Sequence, residues 1–373
     1  MSKPKIIFVV GARPNFVKAA PVIRLMDKAK FDCWVVHTGQ HYDENMSKVF
    51  FDEFGISFDY NLNVGFNTSE ERQFTYIMDK FYDLCVELNP DIVVVFGDVN
   101  SSVACALSAK RLFKTLVHIE SGLRSNDRSM PEEINRVIVD GISDYFFVTE
   151  KSGMDHLKKE GKDISNISFV GNTMIDNLLF QLKQLEYVDV SESIKLKEII
   201  GPRYIVTTIH RKSNVDDKDG LTNIVNILKS ISNVVPIVFV AHPKTETCIH
   251  KYGLFDIFNK EDSGGLIFKK AMGYMNFLNL WKDASLVITD SGGIQEETTS
   301  LKKPCLTIRN NTERPATIKP GSNILVKADY NDMIININKA LTGKWKKCSV
   351  PELWDGEAAN RIVKVLESKY CHD

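Results

Sequence analysis

The chain has 373 residues, 43% of them apolar and 25% charged, with 47 Lys+Arg against 48 Asp+Glu. At about 150 residues per domain that length predicts two domains, with cores large enough to need neither disulfides nor a structural metal. A formal net charge of -1 excludes the basic excess by which nucleic-acid and anionic-membrane binders announce themselves, so neither partner is expected.

The seven cysteines (Cys33, Cys85, Cys105, Cys248, Cys305, Cys348 and Cys371) are odd in number, scattered, and free of any CxxC pair. They read as free, mostly buried thiols in a reducing compartment rather than as a disulfide framework or a zinc ribbon. The first apolar run, residues 6–10, is far shorter than a signal h-region or a membrane span, and a cytoplasmic protein is expected.

In chain order, residues 6–10, 34–37, 92–96, 116–119 and 145–148 are short Val/Ile/Phe-rich runs without alternation, each followed by a helical pattern. Such runs predict strands buried on both faces of a parallel sheet. The rhythm restarts at 204–209, 236–240, 266–268, 286–289 and 305–308. Two series of this kind predict an α/β chain of two Rossmann-like doubly wound domains facing a central cleft. The domains are expected at 1–175 and 176–354, with a final helix at 355–373 packing on either one. Ligands of such sheets lie beyond the carboxyl ends of the strands, so the chemistry is sought just after each strand.

After the first strand, Gly11-Ala12-Arg13-Pro14-Asn15-Phe16-Val17-Lys18 holds one glycine and lacks the GxGxxG dinucleotide fingerprint. Arg13 and Lys18 bring two cations to the mouth of the first helix, either for a phosphorylated ligand or simply solvated. Gln40-His41-Tyr42-Asp43, after the second strand, reads equally as a site element or a polar turn. Asp98, in Phe96-Gly97-Asp98, is a helix cap or a site carboxylate. Glu120, followed by Gly122 and Arg124, is harder to explain as a cap. Glu132 and Glu133 follow Pro131 in a first helical turn, where acids also suit the dipole. Convergence of Asp98, Glu120 and Glu132 would let one site set an acid apart from a base.

In the second series, His210 leaves a strand ahead of Arg211 and Lys212, and His242-Pro243-Lys244 ends the next. Thr289-Asp290-Ser291-Gly292-Gly293 then runs strand, tight turn, helix. Its glycines let a phosphate approach the backbone N–H groups at the helix start. Asp290 is expected to cap this helix and Glu297 to reach a ribose hydroxyl. Arg309 and Thr312-Glu313-Arg314-Pro315 add cations to the same rim. No HExxH, GxSxG or GxxxxGK[ST] pattern occurs, so no metal and no cofactor is expected.

Taken together and in order, GARPNFVKAAP, HTGQHYDENM, GDVNSS, HIESGLRS, MPEEINR, VGNTMID, TIHRKSN, HPKT, TDSGGIQEE and RNNTERP resemble the non-hydrolysing UDP-N-acetylglucosamine 2-epimerase family, which has the GT-B fold. The resemblance runs from Gly11 to about Val326. Hydrolysing relatives differ in the first loop and in the NTERP segment. It implies that Arg13 and Lys18 approach the phosphates and the reactive centre. Asp98, Glu120 and Glu132 would serve elimination and proton transfer, with His210 beside the diphosphate. Ser291, Gly292 and Gly293 would hold the diphosphate, Glu297 the ribose, Arg314 the nucleotide side, and Phe277 the uracil. Met272 stands where some relatives carry a polar uracil contact. Some bacterial relatives also bind a second, activating UDP-N-acetylglucosamine. The matching positions are Gln40, Arg72, Glu133, Arg211 and His242, while Asp43 replaces a Gln of those relatives. The family is commonly homodimeric.

The chemistry fits that implication. C2 of an N-acetylhexosamine is not next to a carbonyl, so a carboxylate cannot simply remove its proton. Without a nicotinamide, inversion requires departure of UDP, loss of the C2 proton to a 2-acetamidoglucal by anti elimination, and re-addition. Three rivals remain from sequence alone. They are a GT-B glycosyltransferase using a UDP-sugar donor, an epimerase of a modified UDP-N-acetyl sugar, and a non-catalytic nucleotide-sugar sensor.

Overall fold

Residues 3–39, 54–64, 70–259 and 265–371 are described by a computed structural model of the chain. The runs IIFVV and IVVVF contain no polar residue, so neither face of either strand can meet water. Both are buried along their whole length, in β1 (Lys5–Val10) and β4 (Ile92–Phe96). Around them lie β2 (Asp32–His37), β3 (Tyr60–Asn61), β5 (Thr115–Ser121), β6 (Tyr145–Val148) and β7 (Ile167–Phe169). They form a seven-stranded parallel sheet in the order β3-β2-β1-β4-β5-β6-β7.

The second sheet repeats the plan with β8 (Ile205–Thr208), β9 (Ile237–Val240), β10 (Leu266–Lys269), β11 (Leu286–Thr289), β12 (Cys305–Ile308) and β13 (Asn323–Val326). Its order is β10-β9-β8-β11-β12-β13, again parallel throughout. In both sheets the order reverses between the first and fourth strands, β1/β4 and β8/β11. That is the switch point where doubly wound sheets bind ligands. All ten strands expected from sequence are present. The added ones, β3, β7 and β13, are two to four residues long. Such pieces are too short for a periodic signal.

By contacts the chain divides into unit 1, Met1–Phe180 with Glu352–Asp373, and unit 2, Gln181–Pro351. The first division falls inside one helix, Thr173–Gln184. The chain's return to unit 1 is anchored by side chains. Trp354 Nε1 donates to Thr149 O at 2.9 Å, and Arg361 donates to Val170 O at 3.0 Å. Asp176 accepts the first N–H groups of the Ala358–Tyr370 helix, Ala358 at 3.2 Å and Ala359 at 2.7 Å. That helix packs on Arg13–Leu25. Among the described residues no helix is long and apolar enough to cross a membrane.

Candidate active site

In unit 1 the site is assembled at the carboxyl ends of β1, β4 and β5. Asn15 is buried; its amide donates to Phe96 O at 2.7 Å and accepts from Ala12 N at 3.3 Å, pinning the start of the first helix to the end of β4. One turn on, Lys18 Nζ meets Glu120 Oε1 at 2.7 Å, both side chains buried. Gly97, at φ +57°, lies against them. A Cβ there would stand 2.7 Å from Lys18 Nζ and 3.3 Å from Glu120 Oε1, so a side chain would press on the pair.

Asp98 does not cap the helix after β4. The cap is Val99, without a side-chain bond, and the Asp98 carboxylate instead pairs with the buried Arg136. Asn135 donates to Asp98 O at 2.8 Å and to Asn100 Oδ1 at 3.1 Å. Lys18 and Glu120 are thereby brought together beside Gly97, the residue before Asp98. Glu132 is half-buried on the Pro131–Ile142 helix, one turn before Arg136.

This helix is inverted. Its buried residues include Glu133, Arg136 and Asp140, while Ile134, Val137 and Ile138 are exposed. Glu133 accepts from Ser125 N (2.8 Å), Ser125 Oγ (2.9 Å) and Asn126 N (3.1 Å), so it orders the loop before the helix. Asp140 binds His118 Nδ1 at 2.7 Å and Arg124 at 2.6 Å. Burial would raise the Asp140 carboxyl, but His118 and then Arg124 outweigh it and hold it below the usual carboxylate range. Arg124 also forks onto Glu160, at 2.9 and 2.7 Å.

In unit 2 the turn after β11 has a different plan from the one expected. Ser291, not Asp290, caps the Gly292–Ser300 helix by accepting from Ile294 N. Asp290, wholly buried, accepts from the backbone of His210 (3.0 Å) and Arg211 (2.9 Å) and from the Asn214 amide (2.9 Å). It thus holds the loop after β8 rather than its own helix. Burial pushes its carboxyl up, and the His210 ring, 3.1 Å away, with Asn214 and the Arg211 N–H brings it below the usual value. The rings of His210 and His242 lie 5.5 Å apart.

Beside the same helix start, the buried carboxylate of Glu313 is shared by arginines. Arg309 lies at 2.8 Å, Arg314 pairs with it directly, and Arg211 lies at 3.7 Å. Arg314 also meets Glu296 at 2.9 Å. A Cβ on Gly292 would stand 2.6 Å from Arg314 Nη1, so a side chain there would displace the guanidinium. Glu297 accepts from Tyr274 Oη at 2.9 Å; Tyr274 and the buried Phe277 are one turn apart on Tyr274–Asp283.

Arg13 begins its helix, Arg72 is exposed, and Gln40 and Asp43 lie outside the described residues. The second-ligand positions in unit 1 therefore receive no common geometry. Sequence reasoning passed over Arg136, Asp140 and Glu313 as partners. The signal that could have found the first two is a helix whose charged residues, at three- and four-residue spacing, share one face. Among the described residues no group of His, Cys, Asp and Glu is placed to hold a metal ion.

Residues 24–367 match the family model described as UDP-N-acetylglucosamine 2-epimerase. A protein of Methanocaldococcus jannaschii named UDP-N-acetylglucosamine 2-epimerase is 39% identical over 97% of this chain and 98% of its own. A Pseudomonas aeruginosa protein named UDP-2,3-diacetamido-2,3-dideoxy-D-glucuronate 2-epimerase is 36% identical over 97% of this chain and 99% of its own. The fold is similar, at a TM-score of 0.89 and 38% identity, to the crystal structure of the M. jannaschii enzyme in complex with UDP-GlcNAc and UDP. That match covers 98% of this chain and 99% of the other.

Proposed function

From the premise that this chain belongs to the UDP-N-acetylglucosamine 2-epimerase family, with its GT-B-like pair of parallel-sheet domains, we propose that it reversibly interconverts UDP-N-acetylglucosamine and UDP-N-acetylmannosamine as an isomerase. The observation that carries this reading is the buried Lys18–Glu120 pair against Gly97, in a chain similar over nearly its whole length to such an epimerase.

Unit 2 supplies the nucleotide side. The N–H groups at the start of Gly292–Ser300 and the side chain of Ser291 meet the diphosphate, helped by the helix dipole. Arg314 neutralises the departing UDP, His210 stands beside it, Glu297 takes the ribose and Phe277 the uracil. Stabilising charge on the leaving group is typically the largest catalytic contribution. Unit 1 supplies the acids. Glu120, Asp98 and Glu132 take the C2 proton and return one to the opposite face, and Arg13 and Lys18 balance their charge against the phosphates. UDP stays bound between elimination and re-addition, which keeps water from the glycal. Gln40, Arg72, Glu133, Arg211 and His242 are the positions for a second, activating UDP-sugar.

The product serves cell-surface polysaccharide synthesis, and seven free thiols support a cytoplasmic setting. The exposed ridge of Ile134, Val137 and Ile138 supports a homodimer. Ile138→Glu is expected to give a monomer by light scattering; unchanged mass would remove this support.

The deciding experiment is NMR of UDP-N-acetylglucosamine with the pure protein in D2O, without added cofactor. Deuterium at C2 together with UDP-N-acetylmannosamine signals is expected. Release of free N-acetylmannosamine would move the protein to the hydrolysing branch. Absence of any exchange would end this substrate assignment, and the diacetamido-uronate would be tried first because of the 36% identity to its epimerase.

A further inference from the structure

Glu120 does not reach Lys18 from an ordinary strand end. The register of β5 against β6 slips between Ile119 and Ser121, and Glu120 itself sits at φ +68°. A bulge of this kind turns one side chain off its regular course. For a residue with a Cβ the left-handed conformation is unfavourable, so the surroundings must impose it.

Two wholly buried side chains hold the backbone on either side of it. His118, two residues earlier, directs Nε2 at Gly97 O, 3.0 Å away at the end of β4. Its Nδ1 lies 2.7 Å from Asp140 Oδ1, and the other Asp140 oxygen accepts from Gly122 N at 3.0 Å. The Gly97 carbonyl only accepts, and so does the Asp140 carboxylate. Both ring nitrogens of His118 thus face an acceptor. The bridge runs from the residue before Asp98, through His118 and Asp140, to the second residue after Glu120. Arg124 and Glu160 complete it from behind.

We infer that His118 and Asp140 are positioning residues for the reaction: a buried pair that ties Gly97 O to Gly122 N and so fixes where the Glu120 carboxylate stands. The inference rests on Glu120 being a reacting group, as proposed above.

The test is a double-mutant cycle read as kcat and KM for UDP-N-acetylglucosamine, with UDP affinity measured by calorimetry. His118→Phe keeps a planar ring and removes both ring nitrogens. In the parent background it is expected to lower kcat about 10²-fold, the scale of a ~1 Å misplacement, with KM and UDP affinity changed by less than about threefold. In a Glu120→Gln background the same change is expected to cost less than about threefold, because the group it positions is gone. Unchanged kcat in His118→Phe overturns the inference, and so does an equal cost in both backgrounds. If His118→Phe fails to fold, Asp140→Asn, which keeps the side-chain shape, carries the same cycle with the same outcomes. A parent protein without turnover would sink the epimerase reading instead. The bridge is then read by amide exchange, where Gly122 N–H should exchange at least ~tenfold faster in Asp140→Asn. Unchanged exchange there overturns it.

Discussion

The carboxyl end of β11 lies at the switch point of its sheet and that of β5 one strand beyond the switch point of its own, and the two are built on different plans. At β5 the strand breaks register, a glutamate takes a left-handed conformation, and three carboxylates face side-chain cations: Glu120 with Lys18, Asp98 with Arg136, Asp140 with Arg124. At β11 the strand passes directly through a Ser291 cap into a helix. There the Asp290 carboxylate holds backbone N–H groups, and Glu313 and Glu296 hold arginines. Among the described residues of unit 2, Lys302 is the one non-glycine residue with positive φ, and it lies beyond the helix. An end suited to bind an anion, the role proposed for β11, needs little more than a helix start and oriented arginines. An end that holds a carboxylate at one point needs strain, with distant partners to impose it.

That contrast is broken or sharpened by four measurements. The largest effect is expected in unit 1. Asp98→Asn, Glu120→Gln and Glu132→Gln should each lower kcat at least ~10²-fold while UDP affinity stays within about threefold. A loss of UDP affinity equal to the loss of kcat would erase the distinction between the two ends. Next is Glu313→Gln, which strips the shared carboxylate from Arg309 and Arg314. Breaking a buried pair costs about 3–5 kcal/mol, so the unit 2 urea midpoint should fall while unit 1 unfolds as before. A midpoint left in place would mean that the arginines do not depend on Glu313.

Smaller again, Gly292→Ala sets a methyl against Arg314. UDP affinity by calorimetry should drop about tenfold, or about 1.4 kcal/mol, and kcat should fall with it because Arg314 also faces the leaving group. Tight UDP binding by this variant would remove Arg314 from the nucleotide side.

The fourth measurement is a pH dependence within unit 1. Burial pushes the Asp176 carboxyl up to about 6, against the pull of the Ala359 and Ala358 N–H groups. Between the unfolded value and 6 the folded chain holds the extra proton, so this group makes stability fall as pH rises. Burial pushes His37 down to about 4, between the rings of Phe16 and Phe58. Between 4 and the unfolded value the unfolded chain holds the extra proton, so this group makes stability rise with pH. The two offset each other, each by about 3 kcal/mol. In Asp176→Asn the His37 response stands alone, and unit 1 should lose about 3 kcal/mol from pH 6.5 to 4 by urea unfolding, where the parent changes little. Equal slopes for the two proteins would refute the offset.

Much of this was legible in the sequence, for a physical reason. Runs such as IIFVV and IVVVF can only be doubly buried strands, and strand ends mark where ligands go, so Asp98, Glu120 and Ser291 could be singled out directly. The partners were not legible. Arg136 and Asp140 act from the interior of a helix, where charged residues ordinarily mark a solvated face, and only the fold shows that this face turns inward. The left-handed turn of Glu120 follows from a pairing slip between β5 and β6 that leaves no trace in residue type. Asp290 and Ser291 are both good caps. Which one acts depends on where the loop at His210 lies, a contact across the sheet.

The return of the Ala358–Tyr370 helix to unit 1 bears on the order in which the protein is made. Unit 2 is one continuous stretch, so every residue it needs is translated before that helix is. Unit 1 has its sheet early and waits, with Asp176, Val170 O and Thr149 O lacking their later partners, until synthesis has passed through the whole of unit 2. Closing so long a loop adds only a slowly growing entropic cost, of order (3/2)RT ln n. The domain that begins first during biosynthesis is therefore the one that finishes last.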